Sequence, residues 1–534
     1  MNFGLILRFS LDNPFSPPYN YFINGTLQEK EDFMPSLILN ELAQTAARLP
    51  HHPAVIDEAG TLSWQALHAK AQSVSTALAK QVPPRRPICV FAEKSTEALV
   101  AFFGIVGAGC FYTYLAPELP GARLVQIANF LAPARILTTD ALLPRAAELF
   151  GETRVCAISA LCSACADCAL LEVIQSSMID TDPLYINFTS GSTGAPKGIV
   201  ISHRSVCDFI PCFCERFGIL QTDIIANQAP FDFDVSVKDI YSAVHTGATL
   251  LLIPRRLFSV PAKLLDFLCL HKATTLIWAV SALCMLSAFH GLDYRVPHSI
   301  NKILFSGESM PAKHLHYWRA HLPHALFVNL YGPTEITCNC TYHILQAEEP
   351  YENGIPIGKA FPNEEVFLLD GGQHRITEPN TVGEIAVRGT ALALGYWNAP
   401  QENEKRFVQN PLCTEYPERI YRTGDLGKYD ENGDLRFCGR ADFQIKYMGH
   451  RIELEEIERV IGSLCGVERC CCLFDAARSR LHGFYAGTAQ SEEILQKLRE
   501  ILPAYMLPGK LQRLAALPLN KNGKIDRNAL GDLL

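Results

Sequence analysis

The sequence predicts an α/β protein in which parallel sheets are covered by helices. From Ser36 onward, short apolar runs alternate with segments of helical periodicity, and this alternation is typical of parallel sheets with helices on their faces. The 534 residues, 48% of them hydrophobic and 19% charged, can bury more than one core and are too apolar for a disordered chain. We therefore expect several domain-sized units.

The first elements can be assigned in chain order. Residues 1–35 are rich in Asn, Pro, Tyr and Phe without periodicity, and we predict an N-terminal extension there. The periodicity that follows predicts helices over 37–49, over 63–80 and up to Gly109, with strands over 53–57 and 87–91. Beyond Arg440 the composition changes, which predicts a small α/β domain over 442–534 after a large domain over 36–441.

Charge and hydropathy exclude several classes of function. The net charge is −8, and no run rich in Lys and Arg provides the basic surface that nucleic-acid binding needs. No apolar stretch reaches the roughly 18 residues of a membrane span, and the N-terminus lacks the basic start and the cleavage site of a signal peptide. We expect a soluble, cytoplasmic protein that binds neither nucleic acid nor membrane.

The chain holds 19 cysteines, and one group has a spacing of interest. Cys156, Cys162, Cys165 and Cys168 contain the Cys-x2-Cys pairs that can bind zinc or an iron–sulfur cluster. Neither a second well-spaced pair nor a His partner follows, so we do not predict a metal site there. The triplet at 470–472 lies in an apolar run and predicts the core of a strand.

The strongest motif is the sequence TSGSTGAPKG at residues 189–198, which follows the apolar run 184–188. Its glycines allow backbone N–H groups to approach an anion, its hydroxyls donate hydrogen bonds, and Lys197 supplies positive charge. Because Gly198 follows Lys197, the loop is not the GxxxxGK[ST] motif of common nucleotidases. The pattern predicts a phosphate-binding loop after a strand.

This loop resembles the phosphate loop of the adenylate-forming superfamily, which comprises acyl-CoA and aryl-CoA synthetases, firefly-type luciferases and the adenylation domains of nonribosomal peptide synthetases. Four further motifs occur in the order of that family: NLYGPTE at 329–335, YRTGD at 421–425, GRADFQIK at 439–446 running on to GHRIE at 449–453, and LNKNGKID at 519–526. The resemblance covers residues 36–534. It implies a large N-terminal region that also holds a β-rich subdomain, and a small C-terminal domain that moves about a hinge at Asp442.

The resemblance also implies a site for ATP and Mg²⁺. Tyr331 would stack on adenine, Asp425 would accept the ribose hydroxyls, and Glu335 would supply a hard oxygen ligand to Mg²⁺. Lys524 would bridge the substrate carboxylate and the triphosphate in the transition state, assisted by Thr193 and Lys197. The nucleotide residues so implied are Thr189, Ser190, Gly191, Ser192, Gly194, Gly307, Asn329, Tyr331, Gly332, Thr334, Asp425 and Arg440.

The segment FDFDVSV at 231–237 is similar to the core motif of amino-acid adenylation domains. Asp234 matches the position that pairs with the α-ammonium of the substrate, because a desolvated ammonium needs a carboxylate partner, whereas Asp232 is a weaker match. The implied pocket comprises Asp234, Val235, Lys238, Ile277, Leu304, Ser306, Leu330, Cys338, Asn339 and Lys524. Leu304, Ser306 and Leu330 resemble pockets for serine, alanine or cysteine.

Lys238 departs from such pockets, which usually hold an aromatic or apolar residue at this position. If the segment is helical, Lys238 lies one turn after Asp234 on the same face. It would then pair with Asp234, extend toward solvent, or meet a carboxylate on the side chain of the substrate. The sequence leaves these three alternatives open, and the last one favours an acidic amino acid.

The sequence ends eight residues after Asp526 and contains no phosphopantetheine attachment motif, so we expect a separate carrier protein as the thiol acceptor. The resemblance implies a ligase that forms an aminoacyl-AMP and then an aminoacyl thioester for a secondary metabolite such as a peptide antibiotic. Alternatives are a D-alanine ligase of cell-wall modification, which the Phe-x-Phe-Asp form resembles, and an acyl- or aryl-CoA ligase. A degenerate member that binds without turnover is disfavoured because Thr193, Lys197, Glu335, Asp425 and Lys524 are all present.

Overall fold

A computed structural model describes residues 37–189, 196–371, 374–475, 478–519 and 525–534. Along the chain its helices alternate with its strands, as the sequence pattern predicts. The helices are α1 (Ile38–Arg48), α2 (Trp64–Ala79), α3 (Thr96–Gly107), α4 (Gly121–Leu131), α5 (Leu143–Phe150), α6 (Ile158–Cys162), α7 (Cys168–Gln175), α8 (His203–Phe217), α9 (Val235–Thr246), α10 (Pro261–Leu270), α11 (Val280–Ala288), α12 (Gly291–Tyr294), α13 (Ala312–His321), α14 (Pro400–Arg406), α15 (Leu454–Gly462), α16 (Ser491–Ile501) and α17 (Arg527–Gly531).

The strands are β1 (Pro53–Asp57), β2 (Gly60–Ser63), β3 (Pro87–Phe91), β4 (Phe111–Leu115), β5 (Arg135–Thr138), β6 (Val155–Ala157), β7 (Pro183–Thr189), β8 (Lys197–Ser202), β9 (Ile224–Asn227), β10 (Thr249–Leu252), β11 (Thr275–Ala279), β12 (Lys302–Ser306), β13 (Leu326–Tyr331), β14 (Thr341–Ile344), β15 (Lys359–Ala360), β16 (Glu364–Leu369), β17 (Arg375–Ile376), β18 (Gly383–Gly389), β19 (Gly395–Tyr396), β20 (Phe407–Gln409), β21 (Arg419–Tyr429), β22 (Leu435–Arg440), β23 (Gln444–Tyr447), β24 (His450–Glu453), β25 (Val467–Asp475), β26 (Arg480–Gly487) and β27 (Lys510–Leu514).

Two sheets with parallel centres form the large region. One has the strand order β15-β14-β13-β12-β11-β9-β10-β1-β2, and the other has the order β19-β8-β7-β4-β3-β5-β6. The neighbours from β13 to β1 and from β7 to β6 pair in parallel, and the antiparallel strands lie at the edges. In β3 and β4 every residue is buried, as expected for strands that helices cover on both faces.

A third sheet is antiparallel and supplies the β-rich region. Its strands run in the order β17-β16-β18-β21-β20, with β22 paired to β21. The remaining strands are in the part of the chain from Gln444 onward, called the C-terminal part, where β23 and β24 form a hairpin and β25, β26 and β27 form a sheet. That part has apolar clusters of its own, one around Ile457, Leu481 and Leu498 and one around Phe484 and Leu530.

Short-range signals explain where several helices begin and end. Ser63, Ser95 and Ser202 each accept a hydrogen bond from a backbone N–H of the first turn of α2, α3 and α8, which satisfies a donor that the helix itself leaves unpaired. Gly218 and Gly247 follow α8 and α9 with left-handed backbone angles, which glycine adopts without a Cβ clash. The helix boundaries predicted from sequence differ from the observed ones by one or two residues.

The α/β fold, the β-rich region and the early elements are confirmed, and strands β1 and β3 have the predicted bounds. The segment 470–472 lies in β25 with Cys471 and Cys472 buried. Cys156 and Cys162 are half-buried and Cys165 and Cys168 exposed, and the described part of the chain holds no group of three His, Cys, Asp or Glu side chains placed to bind a metal ion. The described helices include none long and apolar enough to cross a membrane.

The predicted extension over 1–35 lies outside the described residues. The described residues from Leu37 onward belong to one compact unit, so the boundary at Asp442 and the mobility of the C-terminal part stay predictions.

Candidate active site

A cleft opens where the carboxyl ends of β7, β12 and β13 face the β23–β24 hairpin. The ends of parallel strands are the usual place for a ligand in an α/β sheet, because the loops there diverge. The residues that line the cleft are Asn187, Phe188, Thr189, Asp232, Phe233, Asp234, Val235, Ser306, Gly307, Gly332, Pro333, Thr334, Cys338, Asn339, Asp425, Arg440, Gln444, Lys446, Gly449, His450, Arg451 and Tyr505. Residues from four of the five sequence motifs thus meet in one cavity.

Six of the predicted nucleotide residues line this cleft: Thr189, Gly307, Gly332, Thr334, Asp425 and Arg440. Asn329 is buried in β13, and its amide donates to the carbonyl of Pro356 at 2.9 Å. The predicted loop residues Ser190, Gly191, Ser192, Thr193 and Gly194 and the predicted catalytic Lys524 lie outside the described residues. The strands that flank the loop, β7 and β8, are antiparallel neighbours and fix where the loop begins and ends.

Asp425, the predicted ribose residue, is the centre of a charged group in the cleft. Its carboxylate accepts from the Tyr331 hydroxyl at 2.5 Å and pairs with Arg440. Arg440 also donates to both carboxylate oxygens of Asp442, at 2.6 and 2.8 Å. The ring of Tyr331, which was predicted to stack on adenine, has the Lys446 ammonium 5.5 Å from its centroid. The predicted hinge residue Asp442 is therefore tied to the predicted ribose residue through one guanidinium.

Glu335, the predicted Mg²⁺ ligand, is buried on the short turn after β13. Arg451 donates to its two carboxylate oxygens at 2.9 and 2.8 Å, and Tyr396 donates to one of them at 2.7 Å. Burial by itself would raise the pKa of Glu335, but Arg451 and the tyrosine lower that pKa to about 2. A carboxylate that stays ionised offers the oxygen that Mg²⁺ prefers, so the residue fits the ion, although Arg451 holds its oxygens in this arrangement.

Lys197 begins β8 and is almost entirely buried. Its ammonium pairs with Glu402 at 2.9 Å and lies 5.8 Å from the centroid of the Tyr396 ring. Lys197 does not line the cleft, and the loop that precedes it lies outside the described residues, so its catalytic role stays a prediction.

Asp234, the predicted partner of the substrate ammonium, immediately precedes α9 and faces the cleft. Burial raises the pKa of its carboxyl, whereas a hydrogen bond with Thr334 and the charges of Lys238 and Lys446 lower it. The rival residue Asp232 also lines the cleft, and burial raises its pKa to about 6. Thr334 and two lysine charges favour the ionised form of Asp234, which makes it the better counter-ion for an ammonium.

The remaining predicted pocket residues divide into two layers. Val235, Ser306, Cys338 and Asn339 line the cleft together with Asp234. Ile277, Leu304 and Leu330 are buried in β11, β12 and β13. They belong to the same apolar cluster as Val235 and Cys338, but they do not line the cleft. Lys238 is also fully buried behind the lining, on α9.

The sequence analysis did not assign roles to the residues that the C-terminal part contributes to the cleft. These are Gln444, Lys446, Gly449, His450, Arg451 and Tyr505. All except Tyr505 belong to the segment that was read as a hinge motif, so the motif was recognised but its function in the cleft was not. The alternation over 444–453 was the available signal, since it predicts a hairpin whose side chains reach two faces.

The hairpin is held in the cleft by several contacts with the large region. The Gly449 N–H donates to Glu308 at 2.8 Å, and a Cβ built on Gly449, whose φ is +81°, would lie 3.4 Å from the Phe233 ring. The His450 ring is 5.9 Å from the Phe233 ring between centroids, and on its other partner, Tyr505 of the C-terminal part, it stacks with centroids 3.6 Å apart. Nearby, Arg123 on α4 pairs with Glu456 on α15 at 2.9 Å. The tip of the hairpin thus lies against the large region next to Phe233.

Comparisons with known proteins agree with this geometry. The family model described as AMP-binding enzyme matches residues 42–397. Zwittermicin A synthase ZmaJ of Bacillus cereus is 32% identical over 512 residues, which is 93% of this chain and 95% of that protein. Tyrocidine synthase 3 of Brevibacillus parabrevis is 31% identical over 92% of this chain, but this chain spans only 8% of that synthase.

Two solved structures are similar over most of the chain. Holo-PA1221, described as a nonribosomal peptide synthetase protein with adenylation and PCP domains, has a TM-score of 0.79 and 26% identity over 94% of this chain and 84% of its own. The Vibrio cholerae adenylation domain AlmE, solved with glycyl-adenosine-5'-phosphate, has a TM-score of 0.82 over 96% of this chain and 99% of its own. At 22% identity the second likeness concerns the fold alone.

Proposed function

Because the chain belongs to the family of AMP-binding enzymes, whose members use ATP with Mg²⁺, we propose that it activates an amino acid as its aminoacyl-AMP and transfers the aminoacyl group to a carrier protein. The observation that carries the proposal is that Asp234, a buried carboxylate, lines the same cleft as Asp425 and Arg440. A carboxylate suited to an ammonium and a group suited to a ribose thereby line one cavity. A small or short polar side chain is proposed because Ser306 lines the cleft and Leu304 and Leu330 are buried behind the lining.

In the first step, a carboxylate oxygen of the amino acid attacks the α-phosphorus of ATP. The bond from that phosphorus to the bridging oxygen breaks, and pyrophosphate leaves. Asp234 would hold the α-ammonium, and Asp425 would orient the ribose by accepting its hydroxyl hydrogens. Glu335 would hold Mg²⁺ beside the phosphates, where the ion neutralises their charge. Lys524 would oppose the repulsion between the carboxylate and the triphosphate.

In the second step, the thiolate sulfur of phosphopantetheine attacks the carbonyl carbon and AMP leaves as the new thioester forms. The placement of the β23–β24 hairpin in the cleft supports assigning this arrangement to the transfer step, because Arg451 then occupies the oxygens of Glu335. A carrier protein in trans as acceptor remains part of the proposal. It is supported by the likeness to a protein described as having adenylation and PCP domains.

The proposal is tested by amino-acid-dependent exchange of labelled pyrophosphate into ATP. The panel holds the standard amino acids, D-alanine, benzoate and a short fatty acid, with Lys524→Ala as the inactive variant and Lys521→Ala, from the same sequence motif, as its matched control. We expect exchange with one or a few amino acids and a loss of about 100- to 1,000-fold for Lys524→Ala. Exchange with only benzoate or the fatty acid would overturn the amino-acid assignment.

The acceptor is tested separately by offering the aminoacyl-AMP a phosphopantetheinylated carrier protein or coenzyme A. Thioester formation on the carrier supports the proposal, and formation on coenzyme A alone contradicts it.

A further inference from the structure

Lys238 is the feature of the pocket that the proposed function leaves unexplained. It lies on α9, one turn after Asp234, and its side chain is fully buried, so the alternative in which it extends toward solvent is wrong. Its ammonium donates to the amide oxygen Oδ1 of Asn339. Among the described residues, it makes no ion pair with Asp234 or Asp239 at salt-bridge distance. A buried ammonium whose close partner is a neutral amide lacks a direct counter-ion.

The contact with Lys238 fixes the orientation of Asn339. An ammonium can only donate hydrogen bonds, so the amide must turn its oxygen toward Lys238 and its NH2 group away from it. Asn339 lines the cleft, as does its neighbour Cys338, whose Sγ donates to the backbone oxygen of Asp234 at 3.1 Å. The NH2 group is therefore the part of this amide that Lys238 leaves for the substrate, and an N–H donor suits a hydrogen-bond acceptor.

The substrate ammonium would change the charge environment of Lys238. The carboxylates of Asp234 and Asp239 favour the charged form of Lys238, which burial disfavours. Lys94, a half-buried lysine, donates to the carbonyls of Asn227 and Gln228, and Asp239 accepts from Asn227 at 2.8 Å. When Asp234 pairs with the substrate ammonium, its carboxylate compensates the charge of Lys238 less, while the α-carboxylate of the substrate faces the phosphates. A carboxylate on the substrate side chain would then supply the counter-ion that Lys238 lacks.

We propose that the amino acid carries a side-chain carboxylate, which accepts hydrogen bonds from the Asn339 amide and is neutralised by Lys238. The inference deepens the proposed function and rests on it, since it takes Asp234 as the partner of the α-ammonium. The buried Leu304 and Leu330 behind the pocket favour a short acid of the aspartate type over glutamate. Lys238 is thus a residue that determines specificity.

The experiment compares pyrophosphate exchange with L-aspartate, D-aspartate, L-glutamate, L-asparagine, L-serine and L-alanine. In the unaltered enzyme we expect kcat/KM for aspartate to exceed that for alanine by about 1,000-fold or more, because a site built around a polar group rejects analogues that lack it. Lys238→Met keeps the length of the side chain and removes the charge. It should lower kcat/KM for aspartate by about 100-fold more than it lowers kcat/KM for serine or alanine.

Asn339→Asp is the second variant, since it gives Lys238 an internal counter-ion at nearly constant volume. It should abolish the preference for aspartate and shift activity toward neutral amino acids. Lys302→Met is the matched control, because Lys302 is a half-buried lysine that pairs with the buried Asp223 at 2.9 Å. It is expected to lower thermal stability without altering the order of preference.

The outcomes separate the two proposals. Exchange with serine or alanine above aspartate, or an equal loss for both substrates in Lys238→Met, would overturn the acidic side chain and leave the amino-acid ligase intact. Absence of exchange with every amino acid would overturn both. If Lys238→Met fails to fold by thermal unfolding, the substrate preference of the unaltered enzyme and of Asn339→Asp still decides the inference.

Discussion

At the scale of single residues, the buried carboxylates in and around the cleft have different partners. Glu335 stays ionised because Arg451 and Tyr396 donate to it and lower its pKa to about 2. Among the described residues, no cation lies at salt-bridge distance from Asp239, and burial raises its pKa to about 7. Burial also raises the pKa of Asp234, whereas Thr334 and two lysines lower it. A substrate ammonium would complete the environment of Asp234 in the way that Arg451 completes that of Glu335.

The first prediction concerns Asp234. We expect Asp234→Asn to lower kcat/KM for amino-acid-dependent pyrophosphate exchange by about 100-fold or more, because an unpaired buried ammonium costs about 3–5 kcal/mol. Steady-state exchange rates over a range of amino-acid concentrations measure the effect. Asp232→Asn, two residues away in the same cleft, is the control and should change kcat/KM by less than tenfold. A larger loss for Asp232→Asn would transfer the ammonium-binding role to that residue.

At the scale of an element, the β23–β24 hairpin connects the C-terminal part to the catalytic cleft. Gln444 on β23 donates to Glu453 on β24, so the two strands are joined by side chains as well as by their backbone ladder. Gly449 at the tip has φ of +81°, at which any other residue would be strained, and a Cβ there would be in ordinary van der Waals contact with Phe233 and Ala279. The hairpin therefore presents Arg451 to Glu335 at a defined depth.

The second prediction concerns this contact. Arg451→Gln removes a cation from a buried carboxylate, and breaking a buried pair costs about 3–5 kcal/mol. We expect the hairpin to leave the cleft more readily, so that loading of a carrier protein from preformed aminoacyl-AMP slows by at least tenfold. Single-turnover loading measures this step apart from adenylation. Arg478→Gln, which breaks the exposed pair with Asp475, is the control and should load at the rate of the unaltered enzyme. Equal loading by both variants would contradict the assignment.

At the scale of the whole molecule, the C-terminal part combines its own core with a polar contact surface. Its apolar clusters are distinct from those of the large region, whereas its contacts with that region include the ion pairs Arg123–Glu456 and Arg451–Glu335. Polar contacts between separate cores are typical of units that change their relative position. This division supports the proposal that residues 442–534 move as a body about Asp442.

The third prediction follows from that proposal. Adding a non-hydrolysable ATP analogue with Mg²⁺ should draw the hairpin out of the cleft, because Glu335 cannot serve the ion and Arg451 together. We expect backbone amides over 444–453 to exchange hydrogen for deuterium at least tenfold faster than in the free enzyme, as measured by mass spectrometry. Amides of β25 and β26 serve as the internal reference and should be unaffected. Unchanged exchange over 444–453 would argue against a moving hairpin, and removal of Mg²⁺ by a chelator should restore the slow exchange.

Much of the fold and part of the cleft could be predicted from local sequence patterns. The bounds of β1 and β3 and the presence of β7 follow from apolar runs that are close in the chain, whereas the phosphate-binding role of the glycine-rich motif after β7 stays a prediction. Lys238 is one turn after Asp234 because helical geometry places it there. Such features depend on interactions within a few residues, which the sequence displays directly.

The sequence by itself determined the class of fold, the order of the motifs and the types of residue available for chemistry. Only the tertiary structure decided their partners. Lys238 donates a hydrogen bond to Asn339, 101 residues away in the chain, and Arg451 donates to Glu335, 116 residues away. It also decided that the segment 444–453 lies in the cleft. The physical reason is that strand order and the packing of separate cores set these distances, and neither is encoded in a local run of residues.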